Sequence, residues 1–250
     1  MPGAVPMPFD DAPTIPPDDT VRLHPLPKAP LVDRLPHLVE LARGRRVAHV
    51  GFVDAGFRET QDRAGTWLHA HLSAVATSIV GLDIDEQGVK HAVADGYEAH
   101  QVDCRDADAI GALGLEPADV VIAGEVIEHL DDPGGLLEGL HALVRPGGEL
   151  VITTPNAYGL FNVLASLTRH EINHPDHVVM FTWQTLTNMA ARHDWEPIAT
   201  AVYVPSMKDG AGRGALAVAG RAAVGLERLL AKLGRSYAAD GLIVTFRSVR

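Results

Sequence analysis

Residues 118–156 read ADVVIAGEVIEHLDDPGGLLEGLHALVRPGGELVITTPN, and the order of patterns inside them decides the fold. ADVVIAG (118–124) is a short apolar run of strand type. DDPGGLLEGLHALVRPGG (131–148) predicts a helix that Asp132 caps, with Pro133 in its first position and Gly147 past its end. GELVITTP (148–155) is a strand again. Strands separated by a helix imply a parallel pair joined by a right-handed crossover.

The same alternation continues in both directions. Upstream, RVAHVGF (46–52), SIVGLDI (78–84) and YEAHQVD (97–103) read as strands, with helices over TWLHAHLSAVA (66–76) and DEQGVKHAVADG (85–96). Downstream come a helix over TWQTLTNMAARHDW (182–195), a strand EPIATAVYV (196–204), an apolar–basic helix from Ala215 to Leu233, and a last strand DGLIVTFRSV (240–249). The reading is an α/β sheet of seven strands. Before it, Leu31, Leu35, Leu38 and Leu41 recur at helical spacing up to Arg43, interrupted by Pro36 and stopped by Gly44. Ten of the seventeen prolines precede His37, so residues 1–30 read as a proline-rich flexible arm. The domain then spans 31–250, with 205–238 as a variable helical insertion before the last strand.

Composition narrows the class. With 250 residues, 46% hydrophobic and 21% charged, the chain suits one soluble α/β domain. It has no apolar run of membrane-spanning length, no basic-then-apolar leader and a single cysteine, Cys104. The expectation is a cytoplasmic protein without transmembrane segment. A formal net charge of −11 argues against nucleic acid as partner. From Pro205 onward, however, eight Lys and Arg stand against three acids.

In a parallel sheet, ligands bind beyond the carboxyl ends of the strands. Those positions hold Gly51, in HVGFVDAG (49–56), then Asp83, then Asp103 with Cys104, then Gly124 with Glu125. A glycine admits close backbone approach, and a carboxylate can accept two ribose hydroxyls. Each alone is ordinary turn chemistry; the ordered set is not.

These four positions and the 118–156 stretch resemble the class I S-adenosylmethionine (SAM)-dependent methyltransferases, small-molecule O-methyltransferases above all, from about Leu31 to the C-terminus. The resemblance implies a Rossmann-like sheet, mostly parallel, with helices on both faces and its last strand antiparallel. It also implies SAM as cofactor. Asp83 would hold the ribose, Asp103 and the Cys104 backbone would meet the adenine, and the Gly51 loop would wrap the methionine, with Gly124 and Glu125 at the lip. One departure stands out. The family's first loop reads acid-x-Gly-x-Gly-x-Gly, but His49 replaces the acid, only Gly51 of the glycines is in register, and Asp54–Gly65 looks inserted. A dinucleotide enzyme is the competing reading, and GxGxxG is absent.

Glu125, Glu128 and His129 follow at i, i+3 and i+4, so a helical turn would place all three on one side. His174 and His177 come later, in HPDHVVMFTW. Carboxylates and imidazoles suit Mg²⁺, Mn²⁺ or Zn²⁺. This arrangement resembles the Hen1 family of small-RNA 2′-O-methyltransferases, which implies a metal set of Glu125, Glu128, His129 and His177. Quinone-modifying O-methyltransferases carry a Glu-x-x-Glu-His segment too, so the motif leaves the substrate open. The plain alternative makes Glu128 a helix-start carboxylate and His174 a solvated loop residue.

The expected function is SAM-dependent methylation of a hydroxyl on a small polar metabolite (a sugar, saccharide or natural product), assisted by Mg²⁺ or Mn²⁺. Without metal, His129 or His177 is the natural base, and Glu128 completes the catalytic set. Phe161, His174, Trp183 and the stretch Tyr203–Gly214 are assigned to acceptor recognition. The alternatives are a Hen1-like RNA 2′-O-methyltransferase and a non-catalytic SAM-binding module. His69 and His71 read as structural histidines. The Ala215–Leu233 helix reads as a lid or as the contact of a homodimer.

Overall fold

Alternate residues of the strand at 118–124 bury into opposite layers. Val121 and Ala123 join one apolar cluster, and Val120 and Ile122 another. A strand apolar on both faces needs helices on both sides, and the computed structural model has them. It describes residues 23–56, 58–204 and 215–250; most of the proline-rich arm (1–22) and the acceptor stretch 205–214 lie outside the described residues.

The elements run β1 (Leu31–Val32), α1 (Arg34–Ala42), β2 (Arg46–Val50), α2 (Arg58–Ala64), α3 (Leu68–Ser73), β3 (Ser78–Asp83), α4 (Glu86–Ala94), β4 (Ala99–Gln101) and α5 (Ala107–Ala112). They continue with β5 (Ala118–Gly124), α6 (Pro133–Gly139), β6 (Val144–Pro155), α7 (Leu160–Leu167), α8 (Trp183–Ala191), β7 (Trp195–Tyr203), α9 (Ala215–Lys232) and β8 (Gly241–Ser248). Among the described residues the strands form one sheet, ordered β1-β7-β8-β6-β5-β2-β3-β4. Helices α5, α6 and α8 cover one face; α1 and α3 cover the other. β8 is antiparallel to both of its neighbours, β6 and β7, as the resemblance implied.

The chain leaves β2 toward β3 and β4, then returns to place β5 on the other side of β2. The strand order therefore switches between β2 and β5, and a crevice opens beyond their ends. Gly51 and Glu125 stand there.

Local chemistry sets the helix starts. Asp85 accepts Gln87 N–H before α4, Asp106 accepts Ala109 N–H before α5, and Asp132 accepts Gly135 N–H before α6. Thr182 and Thr185 form a reciprocal capping box at α8.

Several expected boundaries move. The sheet has eight strands rather than seven, because Leu31 and Val32 pair in parallel with β7 instead of opening the first helix. That helix starts at Arg34, so Pro36 falls in its first turn, where a missing N–H costs nothing. The helix expected over 131–148 ends near Gly139, passes through a 3-10 turn, and gives way to β6 at Val144. Gly147, expected past a helix end, lies inside that long strand with φ +68°. α2, α5 and α7 had no counterpart in the sequence reading.

Candidate active site

The crevice beyond β2, β3 and β5 is a cleft of about 830 Å³. Five of the six expected cofactor positions contribute to its wall from successive strands: Gly51, Asp83, Asp103, Cys104 and Glu125. Leu82, Ile84, Val102 and Leu130 add apolar surface suited to a flat base. Gly124 does not line it. The Arg34 guanidinium covers this glycine, with Nη2 2.6 Å from where a β-carbon would stand.

Asp83 is held rigidly, Oδ2 accepting Val53 N–H at 3.0 Å and Oδ1 accepting Asp85 N–H at 3.0 Å. Burial raises its pKa against those backbone bonds. Each oxygen keeps a further lone pair for a hydroxyl. Asp103 is clamped by Arg105, whose Nε and Nη2 donate to its two oxygens, and these bonds lower its pKa. The Cys104 thiol is buried, and burial with Asp103 and Asp83 nearby pushes it up to about 12, so it is inert.

The glycine-poor loop is accommodated by the core behind it. Gly51 has φ +69°, and a β-carbon there would collide with Val126 Cγ2. Val53 stands where the family pattern has its second glycine and Phe52 in the variable position before it, yet both are buried, joining Trp67, Val89 and Ala92 in a third cluster. Their bulk is received by glycines elsewhere: Phe52 packs over Gly81 of β3 and Val53 over Gly88 of α4. His49, in the acid's position, is also buried, stacked on His69 with Nδ1 atoms 3.1 Å apart. Burial drives His49 well below its ordinary pKa and His69 down to about 4, so both rings are neutral. His69 is thus a structural residue, as expected.

The Glu-x-x-Glu-His segment forms a 3-10 turn, Ile127–His129, rather than an α-helical one, and Glu125 has φ +58°. The carboxylates consequently part. Glu125 Oε1 accepts Thr153 Oγ1–H and Tyr203 O–H, each at 2.7 Å, with Arg34 Nε 3.9 Å away. Glu128 is fully buried; Oε2 accepts Thr154 Oγ1–H at 3.0 Å, and Oε1 has no donor. Burial, with Glu125 nearby, holds its carboxyl well above the usual range.

Glu128, His129 and His177 offer ligand atoms all within 4.8 Å of one another. Glu125, the fourth residue of the expected set, is engaged by Arg34, Thr153 and Tyr203 and stands outside this group. The rings of His129 and His177 meet edge to face at 4.7 Å. His129 Nδ1 lies 3.3 Å from the Asp176 carbonyl, and His177 Nδ1 lies 2.7 Å from Asn173 Oδ1. Those oxygens accept, so each Nδ1 donates to them and Nε2 is the ring nitrogen left to face a ligand. Burial, then His129 and His174, lowers the His177 pKa and favours the neutral imidazole that binds metal. An orphaned buried carboxylate oxygen beside two oriented imidazoles fits a divalent cation.

A second cavity, about 350 Å³, adjoins the first; Glu125, His174 and His177 line both. Phe161 and Tyr203 line it as well. Trp183 lines neither cavity; it is buried at the start of α8, Nε1 donating to Thr200 Oγ1 at 3.0 Å.

Arg34 was not foreseen. Burial opposes its charge, but Glu125, Tyr203 and Asp54 more than offset that, and its pKa lies above the ordinary value. The signal was readable: Arg34, Leu38 and Ala42 recur at i, i+4 and i+8 on the buried face of α1.

A methyltransferase domain model matches residues 28–200, well over half of the 250 residues. The chain belongs to the methyltransferase domain family. Its fold is that of the class I SAM-dependent methyltransferases, as the sequence led us to expect. The ubiquinone biosynthesis O-methyltransferase of Parvibaculum lavamentivorans is 31% identical over 132 residues, 48% of this chain and 51% of that protein. The chain thus spans about half the length of the curated relative it matches. A SAM-dependent methyltransferase from Archaeoglobus fulgidus superposes with TM-score 0.53 at 17% identity, covering 86% of this chain and 91% of that one. The small RNA methyltransferase HEN1 gives 0.53 at 18%, covering 87% of this chain and 25% of that one. At such identities these likenesses speak for the fold alone. No helix among the described residues is long and apolar enough to cross a membrane.

Proposed function

We propose that the chain transfers the methyl group of SAM to a hydroxyl of a small polar acceptor, a sugar, saccharide or natural product, with a divalent metal at Glu128, His129 and His177. The observation that carries the reading is the junction of the two cavities: both are lined by Glu125, His174 and His177. A donor in the larger cleft and an acceptor in the smaller one would meet at these side chains.

The charge of the larger cleft supports SAM over a dinucleotide. Asp54, Asp83, Asp85, Asp103, Glu125 and Asp176 line it, and the one guanidinium among its described residues, Arg105, is already paired with Asp103 and Asp131. Such a wall repels a pyrophosphate and suits a sulfonium cation. Asp83 would accept the ribose hydroxyls, and Asp103 with the Cys104 backbone would meet the base.

Methyl transfer is an in-line displacement in which the acceptor oxygen bonds to carbon as the carbon–sulfur bond breaks and the hydroxyl proton leaves. A divalent cation bound at Glu128, His129 and His177 would supply Lewis acidity and a template for one hydroxyl or a vicinal pair. Without the metal, the Nε2 lone pairs of His129 and His177 would be the chain's own proton acceptors at the junction. Holding donor and acceptor in line lowers the barrier by roughly 7 kcal/mol or more. Phe161, Tyr203 and His174 shape the acceptor cavity.

Calorimetric titration with SAM, followed by turnover assays with EDTA and with Mg²⁺ or Mn²⁺ restored, tests the proposal. Micromolar SAM binding and chelator-sensitive turnover are expected. No SAM binding removes the transferase reading, and full activity in EDTA removes the metal.

A further inference from the structure

Glu128, His129 and His177 reach their common point from supports of different firmness. Glu128 is fully buried, and His129 ends the 3-10 turn that follows β5. His177 instead stands in the segment between α7 and α8, outside any helix or strand. That segment is shaped locally. His174, Pro175, Asp176 and His177 make a turn closed by His177 N–H on the His174 carbonyl at 3.0 Å, and the fixed φ of Pro175 suits the turn's second position. Closing the turn brings His177 back beside the residue that precedes it, and His177 Nδ1 lies 2.7 Å from Asn173 Oδ1.

Each of the three residues has its own outer partner. Glu128 Oε2 accepts the hydroxyl of buried Thr154, and the Glu128 carbonyl accepts Val178 N–H and Val179 N–H at 2.8 and 3.2 Å. His129 Nδ1 faces the backbone carbonyl of Asp176. These partners are core or main chain. The partner of His177 is an exposed side chain on the same loop. A carboxamide oxygen can only accept, so at Nδ1 it keeps the ring hydrogen there and leaves the lone pair of a neutral imidazole on Nε2. The opposite end of the same amide would donate and reverse that assignment. Both the aim of the ring and the nitrogen it offers therefore depend on Asn173.

We propose that Asn173 is a positioning residue for the metal: by accepting the Nδ1 hydrogen of His177 it aims Nε2 at the cation. This rests on reading Glu128, His129 and His177 as the metal site. An imidazole on a loop loses rotational freedom when it binds a cation, and an amide that has already fixed the ring reduces that loss. Outer partners of this kind change metal affinity by about 10- to 100-fold. A carboxylate in the same place would accept from Nδ1 in either orientation and make the ring a stronger ligand. Asparagine therefore fixes the tautomer without adding a charge beside the site.

Two measurements on the full chain test the role. The first is calorimetric titration with Mn²⁺. Asn173→Leu keeps the bulk and removes the acceptor, and is expected to lose about tenfold or more in Mn²⁺ affinity, whereas Asn173→Asp binds at least as tightly as the wild type. The second is nitrogen-15 NMR of the metal-free protein with its histidines neutral, the His177 signals being assigned by their absence from His177→Ala. In the wild type the hydrogen is expected on Nδ1; in Asn173→Leu the Nε2–H form, preferred by free imidazole side chains, takes over. Far-ultraviolet circular dichroism checks that each variant is folded. Mn²⁺ affinity of Asn173→Leu within about twofold of the wild type overturns the role. So does an Asn173→Asp protein as weak as Asn173→Leu, or wild-type His177 with its hydrogen on Nε2. A wild type that binds no Mn²⁺ removes the metal reading and this role with it. Wild-type Mn²⁺ binding that Asn173→Leu leaves unchanged refutes the role alone and keeps the metal.

Discussion

His69→Phe changes how the protein responds to acid, and the size of the change follows from burial. His69 is fully buried, among Phe52, Trp67 and Tyr97 at ring-centroid distances of 4.7 to 5.2 Å, so a phenyl ring fits the aromatic surroundings. The imidazole is held at about 4 rather than its ordinary 6.5, chiefly by burial and then by Arg58. Its folded pKa is depressed, so below about 6.5 the unfolded chain takes up a proton that the folded chain refuses. Stability is complete above 6.5 and falls as pH drops toward 4. At about 1.4 kcal/mol per pH unit, His69 accounts for a loss of about 3 kcal/mol across that window. His49, also depressed by burial, adds a loss of the same sign. At pH 7 the variant is the less stable, by about 1–3 kcal/mol, because His49 Nδ1 loses its partner. Near pH 4.5 the deficit closes, since the variant no longer carries the His69 penalty. Urea midpoints of both proteins at pH 7, 6, 5 and 4.5 measure this directly. Parallel stability profiles would falsify the claim that a buried neutral imidazole pair supports the first loop.

Three further outcomes are expected. Glu128→Ala is expected to abolish turnover and leave SAM affinity within about twofold, since the residue is proposed to hold the metal rather than the cofactor; an active variant removes Glu128 from the mechanism. Gly51→Ala combines a φ of +69° with a collision at Val126, so calorimetry should find SAM affinity reduced about tenfold or more, with about 1–3 kcal/mol of stability lost; an unchanged isotherm means that the loop does not approach the cofactor. Single-stranded RNA at low salt should not be retarded in a gel by a chain of net charge −11; a salt-sensitive shift would reopen the RNA alternative.

The legible parts of the molecule are those where one strong local signal acts. β5 and β6 are apolar runs long enough to be unambiguous, and Asp132 with Pro133 marks a helix start that the structure reproduces. The post-strand positions Gly51, Asp83, Asp103 and Glu125 could be placed in one cleft because a parallel sheet aligns strand ends whatever their sequence separation. Tertiary terms were not legible. Leu31 and Val32 fit a helical repeat, yet pairing with Val202 and Tyr203 makes them a strand. Glu125 and Glu128 share one side of an ideal helix, but the 3-10 turn and the partners Arg34, Thr153 and Tyr203 draw Glu125 away.

The first loop is where the family pattern fails on inspection and survives in three dimensions. A glycine-rich turn meets two demands, backbone approach to the cofactor and close packing of the turn on the sheet and the next helix. Here they are separated. Gly51 alone keeps the first, with its left-handed φ and no room for a β-carbon. The second passes to Gly81 and Gly88, on β3 and α4, which make room for Phe52 and Val53 from below. The volume a glycine-rich loop leaves out is restored by the partner surface receding. Val53 N–H still reaches Asp83 Oδ2 at 3.0 Å, tying the loop to the carboxylate proposed to hold the ribose. The His49–His69 pair replaces the acid's charge with a neutral buried contact. The loop therefore leans on the Phe52, Val53 and Trp67 cluster, and a cavity opened there by Phe52→Ala should weaken SAM binding without touching the cofactor. SAM affinity unchanged in a folded Phe52→Ala protein would mean that the loop's shape is set by Gly51 alone.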